Sequence, residues 1–319
     1  MRTALCDLLG IEVPVVQASL GPWSRPELPA AVSNAGGLGT LGTALVEPEA
    51  LRQSIARVRE LTDRPFAINV TRRPFDPVAV ALALEARPRV ISIAIGEPGG
   101  LVTRAHDAGA LLMAQVHSPE QASTAIEQGA DILIAQGGEA GGFGAEVSTM
   151  TLVPQVVDVA GPVPVLAAGG IADGRGLAAA LALGAQGVNI GTRFVAATEA
   201  GVPEAYQQAI VEARSEDAVK VRFAPQVFPP AGTGGYLTLP RALRTPFITE
   251  FDPAAREAAA ARLRESVAEG RAHELVPFAG QTVGLIREVE PAATIVERLV
   301  REAEAALAAA GAAARSGTP

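Results

Sequence analysis

The sequence predicts an α/β fold: a (β/α)8 TIM barrel with a small, mostly helical cap inserted after strand eight. Three observations carry this prediction. Eight short, largely apolar runs each give way to a helical segment. Such alternation builds a parallel sheet through right-handed crossovers. Eight units are also the number that closes a barrel, with a doubly wound open sheet as the competing arrangement. Finally, the rhythm stops after Gly191, and a Pro- and Gly-rich stretch follows.

Strand one is 13–18, an apolar run too short for a helix, ending in Gln17-Ala18-Ser19. The helix at 27–34 is closed by Gly36 and Gly37. Strand two is 38–41. The surrounding G-L-G-T-L-G matches a dinucleotide fingerprint in letters only. That fingerprint must follow a strand and open a helix, whereas these glycines follow a helix and contain the strand. A helix at 47–61 leads to strand three, 66–70, with Asn69 near its end. Helix 77–86, strand four at 90–93, helix 101–108, strand five at 111–116 and helix 119–128 continue the series.

Strand six, 131–135, delivers the most unusual stretch, ILIAQGGEAGGFG at 132–144. Five of the eight residues after Gln136 are glycine, so this backbone turns sharply or lies very close to something. It reads as a glycine-rich active-site loop with one acid, Glu139, inside it. Helix 152–159, strand seven at 163–167, helix 173–183 and strand eight at 187–190 complete the barrel. Beyond it, 202–214 and 253–269 are helical, 215–250 reads as irregular, and 291–310 is an Ala/Glu/Arg-rich helix. Residues 1–200 and 281–319 are assigned to the barrel and 201–280 to the cap, a substrate domain.

With 49% hydrophobic and 19% charged residues the 319-residue chain is globular. Its net charge of −8 argues against nucleic acid and anionic membrane surfaces, which need a basic face. One cysteine allows neither an internal disulfide nor a cysteine metal cage, and three histidines exclude a histidine-rich metal site. The N-terminus is not a signal peptide, and no apolar run approaches the roughly 20 residues of a membrane span. A soluble, reducing, cytoplasmic setting, without a metal site, is the expectation.

Barrel enzymes work at the C-terminal ends of their strands. There stand Gln17-Ala18-Ser19, Asn69, Gln115 to His117, the glycine-rich loop, Ala168-Gly169-Gly170 and Gly191-Thr192. Loops after strands seven and eight often cradle a phosphate, because glycine lets amide N–H groups reach the oxygens. These glycines would also serve as plain tight turns, but two such loops on the two expected strands favour phosphate. No P-loop, H-E-x-x-H or G-x-S-x-G is present.

Together, QAS, Asn69, QGGEAGGFG, AAGG and IGTRF resemble the nitronate monooxygenase (2-nitropropane dioxygenase) family of FMN-dependent barrels. That family is related to flavin-type enoyl-ACP reductases and NAD(P)H:quinone reductases. The resemblance runs nearly end to end and includes ATEAGVPEAYQQAIVEA and VPFAGQTVGLIREVEPA. It implies FMN, with its ring against the backbone of Gln17, Ala18, Ser19 and Leu20 and contacts from Asn69 and Gln115. It implies phosphate binding by Ala168, Gly169, Gly170, Gly191 and Thr192, and a flavin pocket shaped by Asp131, Gly138, Ala140 and Gly141. It also brings O2, with NAD(P)H in the reductase branch, as co-substrates, and leaves a homodimer open.

Two departures stand out. Where the family reads E-A-G-G-H, with the histidine as base for a neutral nitroalkane, this chain has Phe143, which accepts no proton. The family's Pro-Met after Gln-Ala is Ser19-Leu20. A nitronate is already an anion and needs no base, so neutral nitroalkane oxidation is expected to be weak. His117, just past strand five, is the replacement candidate, the alternative being a cap for the helix that Ser118 and Pro119 begin. Glu139 is either a flavin-site acid or a carboxylate bonding loop N–H groups. His106 and His273 read as surface residues. Phe143 with the apolar 227–236 suggests a hydrophobic pocket. Three readings follow: nitronate oxidation with O2 to carbonyl and nitrite, NAD(P)H-dependent reduction of a quinone or enoyl thioester, and a barrel that binds without chemistry.

Overall fold

The computed structural model describes residues 1–23, 25–72, 75–228 and 239–316. Its strands are β1 (Val15–Gln17), β2 (Gly39–Gly42), β3 (Phe66–Thr71), β4 (Val90–Ala94), β5 (Leu111–Val116), β6 (Ile132–Gln136), β7 (Gly142–Gly144), β8 (Val165–Ala168), β9 (Gly187–Ile190), β10 (Ala218–Lys220) and β11 (Leu239–Leu243). Eight of them form a parallel sheet in the order β1-β9-β8-β6-β5-β4-β3-β2. The sheet closes on itself: the Leu38 amide donates to Val15 O and the Gln17 amide to Leu38 O, each at 2.9 Å. The expected (β/α)8 barrel is therefore the fold.

The helices between strands start where the sequence supplies caps. Asp76 accepts from the amides of Val78 and Ala79 with Pro77 in the first turn, and Ser118 accepts from Gln121 ahead of Pro119. A short N-terminal helix, α1 (Ala4–Leu9), lacks a side-chain cap and was not expected. It exists because Leu5, Cys6 and Leu9 bury fully against an inner cluster that includes Val16, Leu38, Val90, Ile132 and Leu166. It stoppers the barrel from below. The long final helix (Ala292–Ser316) lies against the helix Gly174–Ala182. A Cβ on Gly174 would stand 2.3 Å from the Ala303 amide nitrogen, so only glycine permits that approach.

The cap differs from expectation. The stretch read as irregular contains β10 and β11, and β11 pairs antiparallel with β7, the G-F-G of the glycine-rich loop. Pro240 stands opposite Phe143 in this three-stranded sheet. The cap has its own apolar core of Val221, Phe223, Ala224, Val227, Ala242, Leu263, Leu275 and Val276. Tyr206 and Ile210 of the helix Glu204–Glu212 instead join the barrel's core. Most of the apolar segment 227–236 lies outside the described residues. Among the described residues no helix is long and apolar enough to cross a membrane.

Candidate active site at the barrel mouth

The strand ends place a ring of carboxamides around the mouth. Gln17, fully buried, accepts the Thr40 amide at 2.9 Å and donates to Ala18 O. Asn69 donates to Ser92 Oγ at 3.3 Å. Gln115 donates to Gln136 Oε1 and, at 3.3 Å, to Phe143 O. Ser19 Oγ accepts from Gly21, and the Ala18 amide donates to Ile190 O at 2.8 Å, which sets Ala18 beside Gly191.

The glycines of the central loop are there for close approach. A Cβ on Gly137 would stand 2.1 Å from Thr149 Oγ1, on Gly138 2.6 Å from Glu146 O, and on Gly141 2.7 Å from the carbonyl carbon of Ala279. Gly142 has φ +68°, which favours glycine. Of the two readings of Glu139, its geometry matches the second: its carboxylate accepts the Thr149 amide at 2.8 Å and the Thr149 hydroxyl at 2.9 Å. Gly169 and Gly170 follow β8 with φ +92° and +74°. A Cβ on Gly169 would stand 3.0 Å from both the Ala140 nitrogen and Gly137 O. Thr192 Oγ1 accepts from the Gly280 amide at 3.0 Å. Gly138, Ala140, Gly141, Ala168, Gly169, Gly170, Gly191 and Thr192 thus gather at one end of the barrel.

Two cations of the cap, missed in the sequence, hold this loop. Arg241 donates to Gly138 O through Nε at 3.0 Å and Nη2 at 2.9 Å. Lys220 Nζ donates to Ala145 O at 2.6 Å and Leu239 O at 3.2 Å. Burial, then the neighbouring Arg241, pushes the Lys220 ammonium down to about 8. Composition held a signal: Lys220 is the only lysine in the chain.

Two expected site residues are corrected. Asp131 precedes β6 and so lies at the opposite, N-terminal end of the barrel. Its carboxylate accepts the Leu112 amide at 2.7 Å and bonds His106 Nε2 at 2.8 Å, which makes it a strut. His117 is 4% exposed, with Nδ1 3.2 Å from Gln136 O and Nε2 without a partner among the described residues. Burial pushes its pKa down to about 4, so at neutral pH it is uncharged and a weak base. The helix cap is Ser118. Phe143 turns its ring to Phe278 and Phe228, at 5.5 and 5.8 Å between centroids.

A closed parallel barrel with glycine-rich loops and a cap folded onto them at its C-terminal mouth is the layout of a (β/α)8-barrel enzyme. A family model described as nitronate monooxygenase matches residues 2–77 and 73–302. The nitronate monooxygenase of Paraburkholderia phytofirmans is 33% identical, over 94% of this chain and 95% of that protein. A Mycobacterium tuberculosis protein, (3aS,4S,5R,7aS)-5-hydroxy-7a-methyl-1-oxo-octahydro-1H-indene-4-carboxyl-CoA dehydrogenase, is 40% identical over 69% of this chain, and the match spans 62% of that relative's length. The solved structure of FabK from Thermotoga maritima superposes with a TM-score of 0.87 at 35% identity, covering 98% of this chain and 99% of that one. The chain belongs to the nitronate monooxygenase family of oxidoreductases.

Proposed function

We propose that the chain is an FMN-dependent oxidoreductase that oxidises alkyl nitronates with O2 to a carbonyl compound and nitrite. The observation that carries it is the pair Gly170 and Gly191. Neither amide donates to a protein group among the described residues, and a Cβ there would meet nothing nearer than 3.7 Å. Such open amides fit a phosphate. FMN, when bound, supplies an electron acceptor that reacts with O2. The backbone of Ala18 to Leu20 would lie under its ring. With their NH2 groups engaged, Asn69 and Gln115 have side-chain carbonyls to offer it. The residues at the mouth then bind, orient and exclude water. Phe143 brings no base and His117 is neutral, which suits a substrate that arrives as an anion.

A second reading, an oxidoreductase of acyl thioesters, is favoured by one observation: the relative named a carboxyl-CoA dehydrogenase is 40% identical where aligned, above the 33% of the nitronate monooxygenase. The anaerobic visible spectrum separates the two. A flavin band that survives NADPH and bleaches with ethyl nitronate supports nitronate oxidation. Rapid bleaching by NADPH supports an acyl-thioester oxidoreductase working as a reductase, and bleaching by an acyl-CoA supports one working as a dehydrogenase. No flavin band after incubation with FMN sinks both.

A further inference from the structure

The chain is poor in aromatic residues, with one Trp, two Tyr and nine Phe. Five of these twelve, with His273, form one band at the mouth. Trp23, in the loop after β1, lies 5.7 Å from Tyr206 and 5.9 Å from His273 between ring centroids, and Tyr206 stacks on His273 at 5.9 Å. Phe143, Phe228 and Phe278 form the other half, with Phe228 stacked on Phe278 at 6.4 Å. The Tyr206 hydroxyl joins the halves by donating to Phe278 O at 2.5 Å. The band draws on barrel loops and cap alike, and Trp23, Phe143, Phe228 and Phe278 are only half-buried.

Rings in edge-to-face contact present edges and faces on which another ring system packs well. A flexible chain must lose rotamer freedom to cover the same surface. Phe143 links the band to the carboxamides at the strand ends, since its carbonyl accepts from Gln115. We propose that this band is the specificity determinant of the site, with Phe143 at the end that meets Gln115, and that it selects ring-bearing apolar substrates over straight-chain ones of equal carbon number. The proposal rests on the nitronate-oxidising reading for its reacting group only.

Trp23, the sole tryptophan, reports on the band directly. The holoenzyme is titrated with cyclohexylacetate and with octanoate, which have the same number of carbons and do not turn over. Cyclohexylacetate is expected to change Trp23 emission saturably, about tenfold tighter than octanoate, with the difference abolished in Phe143→Leu. In parallel, the ratio of kcat/KM for the nitronates of (nitromethyl)cyclohexane and 1-nitroheptane should fall about tenfold in that variant. Equal affinity for the two carboxylates overturns the proposal. So does a Phe143→Leu protein with lowered Tm and an unchanged ratio, which would make the band cap-to-barrel packing alone. If cyclohexylacetate binds selectively while no nitronate is oxidised, the band stands and the nitronate reading fails.

Discussion

His117 is held neutral by burial, its pKa moved from 6.5 to about 4. Between those values the unfolded chain binds a proton at this site that the folded chain refuses. Stability is therefore lost as pH falls through that window, by up to about 3 kcal/mol. Urea unfolding at pH 7 and pH 4 should show a larger loss for wild type than for His117→Gln; equal losses would refute the assignment. At Gly169, φ +92° and the 3.0 Å contacts leave no comfortable place for a Cβ. Gly169→Ala should cost about 1–2 kcal/mol and lower the flavin content of purified protein. Phe143→His would return a base to the mouth. Nitroethane oxidation should then rise roughly a hundredfold, measured as nitrite release, and no change would mean that the missing base is not what limits this chain.

Among the elements, the glycine-rich loop and the cap behave as one unit through β7, β11 and Arg241. Arg241→Met removes two charge-assisted bonds to Gly138 O and a third to Ala218 O. Hydrogen exchange at residues 138–147 should accelerate while the barrel strands keep their protection; uniform acceleration would count against a local role. The eight barrel strands were legible because each is a short, largely apolar run whose neighbours follow in sequence order. β7 was not, since Gly-Phe-Gly has no strand pattern of its own and becomes a strand only by pairing with residues 239–241. β10 and β11 were hidden by the Pro and Gly around them. In the site, the glycine loops could be placed from spacing alone. The turn of Phe143 toward Phe278 and Phe228 and the burial of His117 depend on packing against distant segments, and Asp131, assigned to the pocket by resemblance alone, starts the expected strand 131–135 and so belongs to the other end of the barrel.

At the scale of the whole molecule, the C-terminal segment is tied to the barrel by an ion triad built on a buried arginine. Arg193, 2% exposed, donates to Glu290 at 2.9 Å and to Glu288 O, and Glu290 also bonds Arg298 of the last helix. Removing the Glu290 charge would leave a buried guanidinium with only the Glu288 carbonyl to answer it. Glu290→Gln should destabilise by about 3–5 kcal/mol, read as a lower urea midpoint, and a neutral result would show that the triad is solvated. The stopper beneath the barrel has a different consequence. Residues 4–9 leave the ribosome before the inner side chains they rest on, which are spread from Val16 to Ala168, and Thr3 bonds Gln186 O. That helix must wait for most of the barrel to be synthesised before it has anywhere to go. Cys6, at 0% exposure, keeps time for that wait: its thiol should stay open to alkylation on nascent chains shorter than the barrel and become shielded once the last strand has closed.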